Sequence, residues 1–149
     1  MEDHESTEAA HARAKQENPI IMYLIVRESL NMSIGKTAAQ CGHASQMLIL
    51  KFFEENKNLA FMCDVAYDNY LQYKDIFAAW LKTSFRKVVL KADEKEWVKV
   101  KDAFSGYSKV VVVDAGLTEL QPNTETVIGL MPMYKDQVPK VIKKLQVLK

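Results

Sequence analysis

The sequence predicts an α/β fold, a single domain built on a mixed four-stranded sheet with helices packed on its faces. Four short runs rich in β-branched residues, at 20–27, 87–92, 109–116 and 126–132, read as strands. Stretches with apolar residues every three or four positions lie between the first three of them and after the last, as amphipathic helices do. The link between the third and fourth runs is too short for a helical crossover, so those two strands are expected to be antiparallel neighbours. At 149 residues the chain can bury one substantial core and has no room for two ordinary domains.

The first 19 residues, "MEDHESTEAAHARAKQENP", carry five acids against two bases. They lack the apolar centre of a secretion signal and are too acidic for a mitochondrial presequence, so a flexible tail on a cytoplasmic protein is expected. The remaining chain, 20–149, holds 18 bases against 14 acids and is mildly basic, at +4. That suits a polyanionic partner, although a solvated lysine-rich surface has the same balance. No apolar run approaches the roughly 20 residues that span a bilayer, so no membrane partner is expected. Cys41 and Cys63 stand in no CxxC or metal-ligand spacing and read as reduced thiols.

"IIMYLIVR", 20–27, is nearly continuous in apolar residues, which suits a strand covered on both faces. Ser33 is placed to cap a helix running through Phe53, with Ala38, Cys41, Ala44, Ser45, Leu48 and Phe52 as its packing stripe. Residues 56–84 read as a loop and then a helix capped by Asp68 or Asn69, carrying Tyr70, Tyr73, Phe77, Trp80 and Leu81. After the strand "KVVLKA", Asp93 and Glu96 form a capping-box start for a short helix, which Gly106 is placed to end. "KVVVVDAG" and "TVIGLMP" follow as strands. Asp136 opens the last helix, with Pro139 tolerated in its first turn.

In such sheets ligands gather beyond the carboxyl ends of strands, where loops and helix N-termini converge. Two polar clusters occupy such places, the start of the first helix and "DAGLTEL" after the third strand. Lys36, Gln40 and His43, spaced by four and three, project from one helix face. Lys36 sits in a first turn that already favours an anion, so a negative partner is expected beside it unless its chain simply snorkels into water. His43 reads either as a hydrogen-bonded structural histidine or as a proton carrier or substrate contact. Gln40 offers an amide that orients a neighbour. Asp114 is delivered by four valines to the sheet's edge, where a carboxylate either pairs with a cation, Lys36 being the natural one, or merely caps a turn. Thr118 and Thr126 lie close by in sequence, with hydroxyls able to bind a carbonyl or a phosphate. There is no GxGxxG, P-loop, GxSxG or paired-histidine metal motif, so redox, phosphoryl-transfer and metal-hydrolase chemistry lose their support.

"YLIVRESLNMSIGKTAAQCGHA", "KVVLKADEKEW" and "VVVDAGLTELQPNTETVIGLMP", in this order, resemble the second type of peptidyl-tRNA hydrolase. The resemblance covers 20–55 and 80–149, with 56–79 as a longer connection than the family's. It implies hydrolysis of the ester between a peptide and the 3′ end of tRNA, by a homodimer with no metal or organic cofactor. By motif position it implies a catalytic role for Lys36, Asp114, Thr118 and Thr126, and substrate contacts for Gln40 and His43. Where the family tends to read "RTDLKMGKGK" this chain reads "RESLNMSIGK", and the family's frequent arginine after "DAG" is Leu117. Ser29, Asn31, Ile34 and Leu117 thus replace charged side chains near the site, which motivates an alternative: a family member with weakened turnover that binds RNA or protein.

Overall fold

The eight residues of β1 (Ile20–Arg27) form the centre of the molecule. Ile21 through Val26 are all buried. Because side chains alternate across a strand, Ile21, Tyr23 and Ile25 enter one hydrophobic core, and Met22, Leu24 and Val26 enter a second on the opposite face. The computed structural model describes Glu8, residues 18–57 and residues 64–149. Cys63 and nearly all of the expected acidic tail lie outside those residues.

On one side of β1, β2 (Lys87–Ala92) pairs with it in parallel, from Met22 opposite Lys87 to Arg27 opposite Ala92. On the other side β4 (Thr124–Leu130) pairs antiparallel, and β3 (Lys109–Asp114) pairs antiparallel with β4, as the short link requires. The described residues add two strands to the expected four. β5 (Met133–Tyr134) joins the start of β1, and β6 (Gln146–Val147) lies outside β2. The resulting order is β3-β4-β1-β2-β6, with β5 on β1. Two-residue strands are too short to carry an alternating pattern, which is why the sequence does not announce them.

Helix α1 (Ile34–Lys57) packs over β3 and β4, and Ser33 caps its start by accepting the Lys36 N–H at 3.2 Å. The crossing is close: a Cβ on Gly129 of β4 would lie 3.0 Å from a Leu48 methyl and 3.2 Å from the Ala44 Cβ. Helix α2 (Asp64–Lys82) begins before the expected Asp68 or Asn69, with Asp64 in its first turn, where a carboxylate complements the helix dipole. Its Phe77 and Trp80 are fully buried, and the Phe77 ring stacks on Phe52 of α1 at 4.4 Å between centroids.

The opposite face carries α3 (Glu94–Ala103) and α4 (Lys140–Lys143). The capping box of α3 forms as expected, Asp93 taking the Glu96 N–H at 2.8 Å and Glu96 taking the Asp93 N–H at 3.0 Å. Gly106 does not end α3; Phe104 does, in extended conformation, and the Lys109 ammonium donates to the carbonyls of Lys101 and Phe104 that a glycine cap would otherwise satisfy. Asp136 does not open the last helix either. Its N–H is taken by Asn18 Oδ1 at 3.0 Å within a 3₁₀ turn, Lys135–Gln137. Pro139 keeps Val138 extended, with ψ 124, so the helix starts only at Lys140.

Candidate active site

Four consecutive valines run along β3, the edge strand packed beneath α1, and Asp114 is its last residue. The strand ends there because Gly116 turns the chain with φ 78. The carboxylate faces the first turn of α1, and three donors converge on it. The Lys36 ammonium donates to Oδ1 at 2.5 Å, the Gln40 amide approaches the same oxygen at 3.4 Å, and the Gly116 N–H donates to Oδ2 at 2.9 Å. Asp114 is only 7% exposed.

These donors decide the charge of the group. The hydrogen bond from Lys36 and then that from the Gly116 N–H hold the Asp114 carboxyl below the usual aspartate range, against an opposing effect of burial, with the charges of Lys36 and His43 adding to the shift. Asp114 is therefore a carboxylate throughout the neutral range, and its pairing with Lys36 is the one the sequence expects.

Lys36 is bound on two sides. Besides Asp114, its ammonium donates to the Thr118 hydroxyl at 2.8 Å, and Thr118 lies exposed on the loop after Gly116. Behind Asp114 the Thr126 hydroxyl, with no exposed surface, donates to Gln40 Oε1 at 2.6 Å. That bond fixes which way the Gln40 amide faces: its oxygen toward β4 and its NH₂ toward Asp114. Lys36, Asp114, Thr118, Gln40 and Thr126 thus form one connected network. His43 is the exception, exposed further along α1 and joined to the network only through its effect on Asp114.

Sequence reasoning missed Glu119. Its carboxylate accepts the Ser33 N–H at 3.0 Å and the Ser33 hydroxyl proton. Those two bonds hold its own carboxyl below the usual glutamate range. A signal was present: Ser33 caps a helix whose third residue is a lysine rather than a glutamate or glutamine, so the acceptor for the cap's N–H has to come from elsewhere. Of the positions that depart from the resembled pattern, Ser29 donates to Glu94 and Asn31 is left-handed at φ 47. Ile34 and Leu117, at 91% and 88% exposed, stand on the two segments that carry Lys36 and Thr118.

Among the described residues no three His, Cys, Asp or Glu side chains converge where they could hold a metal ion. The arrangement is a carboxylate and an ammonium in contact, with a hydroxyl beside them, at a strand end and a helix N-terminus. Such a set can orient a water molecule and stabilise an oxyanion.

Comparison with known proteins gives a consistent picture. The family model described as "Peptidyl-tRNA hydrolase PTH2" matches residues 20–148. A peptidyl-tRNA hydrolase of Pyrobaculum aerophilum is 34% identical over 131 residues, covering 86% of this chain and 97% of the relative. Peptidyl-tRNA hydrolases of Methanopyrus kandleri and Thermoplasma volcanium are 31% and 30% identical, each covering 85% of this chain and 96% and 97% of their own lengths.

Proposed function

The chain belongs to the PTH2 family of peptidyl-tRNA hydrolases, and on that premise we propose how its own residues cut the ester between a peptide and the 3′ end of tRNA. The observation that carries the reading is the 2.5 Å contact between Lys36 Nζ and Asp114 Oδ1, with Thr118 on the other side of the ammonium.

Asp114 accepts a hydrogen bond from a water molecule and aims its oxygen at the ester carbonyl carbon. As the new C–O bond forms, negative charge develops on the carbonyl oxygen, and the Lys36 ammonium stabilises it. The C–O bond to the ribose then breaks, the proton given up by the attacking water passes to the ribose oxygen, and free tRNA and peptide leave. Because its proton affinity is low, Asp114 acts mainly by orienting the water and holding Lys36 in place; an ester, with its alkoxide leaving group, needs less acid assistance than an amide. Thr118, the exposed hydroxyl, positions the ester. Thr126 and Gln40 act from behind by holding Asp114, and His43 contacts the tRNA end from the exposed face of α1.

The expected outcome in a peptide-release assay is that Asp114→Asn loses about 10²–10⁴-fold in rate and Lys36→Ala about 10²–10³-fold. Wild-type inactivity, or variants as fast as wild type, would overturn the assignment. The intact network around Asp114 disfavours the alternative of a binding module with weakened turnover.

We further assign residues 20–149 as the hydrolase domain and 1–19 as a tail, with the protein acting in the cytoplasm where translation supplies its substrate. No helix among the described residues is long and apolar enough to cross a membrane. The outer face of α1 exposes Met47, Leu50 and Phe53 at spacings of three, apolar surface of the kind that pairs subunits, and we propose a homodimer. Sedimentation equilibrium tests it; the mass of one chain at micromolar concentration would remove it.

A further inference from the structure

We propose that Glu119 is a positioning residue for the hydrolysis, clamping the loop that carries Thr118 onto the first turn of α1; the inference rests on the reading of the site given above. In a self-contained capping box, the third residue of the helix supplies the carboxyl group that accepts the cap's N–H. Here that residue is Lys36, and its ammonium is committed to Asp114 and Thr118. Glu119, 86 positions beyond Ser33, supplies the missing acceptor. One carboxylate oxygen takes the Ser33 N–H and the other takes the Ser33 hydroxyl proton, while the Ser33 oxygen accepts the Lys36 N–H. A negative group in this place also complements the positive end of the helix.

The consequence is geometric. The loop after β3 is tied at three successive points, Gly116 to Asp114, Thr118 to Lys36 and Glu119 to Ser33. Of these, the Thr118 bond ends on a lysine with four rotatable bonds, which cannot by itself fix an exposed threonine. The Glu119 bond ends on the backbone of a helix start, which can. Using a distant carboxylate as the cap partner leaves the third helical position free for the lysine, and makes formation of the cap conditional on closure of the loop.

The test compares Glu119→Ala with Glu119→Gln. The glutamine keeps an oxygen for the Ser33 N–H and turns an amide N–H toward the Ser33 oxygen, so it preserves the clamp without the charge. With peptidyl-tRNA as substrate, Glu119→Ala is expected to lower kcat roughly tenfold or more while KM changes by less than about threefold, because displacement of a positioning group is felt in the reaction step. Glu119→Gln should recover most of that loss. In the double variant with Thr118→Ala the two losses should not multiply, since both act through the same hydroxyl. Hydrogen exchange at the Ser33 and Gly116 amides should quicken in Glu119→Ala and remain slow in Glu119→Gln. Multiplicative losses, a glutamine variant as impaired as the alanine one, or exchange that does not respond would each overturn the clamp. If wild type releases no peptide, the proposed function falls, while the exchange measurement still decides whether the clamp exists.

Discussion

Asp114 receives three donors, and each alters what it can do. Lys36 and the Gly116 N–H stabilise its charged form, so its carboxyl is held below the ordinary aspartate range. The sign of the linkage follows. A depressed native pKa stabilises the fold at pH values above the unfolded aspartate value, and this contribution is lost as pH falls through the native value. The charges acting on it are those of Lys36 and His43, and it in turn acts directly on Glu119, whose carboxyl it pushes upward. Lys36→Met removes the largest cause, so a carboxyl ¹³C titration should show the Asp114 midpoint rising toward the ordinary value of about 4. A midpoint that does not move would mean that the Gly116 N–H dominates. In wild type, any loss of activity on acidification between about pH 5 and 8 should come from another group, because Asp114 stays ionised there. Glu94 behaves likewise on the opposite face: hydrogen bonds from Arg27 and Ser29 bring its pKa down to about 2. Since it is half exposed, that pair adds at most about 1 kcal/mol, present above the ordinary glutamate value and lost as pH falls toward the native one.

The segment from Gly116 to Asn123 is where the site depends most on backbone conformation. Gly116 has φ 78, and a Cβ built on it would lie 2.5 Å from the backbone nitrogen of Pro122, so any side chain meets both a disfavoured dihedral and a backbone clash. Gly116→Ala should therefore destabilise the protein by about 1–3 kcal/mol and also lose most activity, because the strain displaces Thr118. Measured together by thermal unfolding and peptide release, full activity at an unchanged midpoint would show that the loop can be built another way. The contrast with Gly106 is instructive. Both glycines lie just beyond the end of an element, but only Gly116 occupies a left-handed position. At Gly106 a lysine side chain had already satisfied the helix carbonyls, a contact that local patterns do not reveal. The same reason hid Glu119: the Ser33 cap, the α3 capping box and the Lys36 spacing are local and readable, whereas a cap partner drawn from another segment is knowable only after the chain has folded. Asp136 was misread because one proline, by restricting the residue before it, moved a helix start by several positions.

Where the fold was readable, the information lay in β1. A strand buried on both faces has to be apolar at every position, and six consecutive buried residues here report the three-layer arrangement directly. The pairing of the remaining strands follows from link lengths, and the two-residue strands β5 and β6 escape because they depend on register with β1 and β2 rather than on their own sequence. This arrangement has a thermodynamic consequence. The core beneath α1 and α2 and the core beneath α3 and α4 share β1 as a common wall, with alternate side chains pointing into each. Neither core can dissolve without exposing the back of the strand that supports the other, so the two should unfold together. Leu48, on the side of the active site, and Ile142, on the far side, are 0% and 2% exposed. Truncating either to alanine should lower stability by about 2–5 kcal/mol, and the Ile142 variant should lose catalytic activity along the same denaturation curve as it loses secondary structure, despite touching nothing in the site. Urea titrations followed by circular dichroism and by peptide release would test this. Two separated transitions in the Ile142→Ala protein, with activity outlasting the loss of α3 and α4, would show that the layers are independent and that β1 does not couple them.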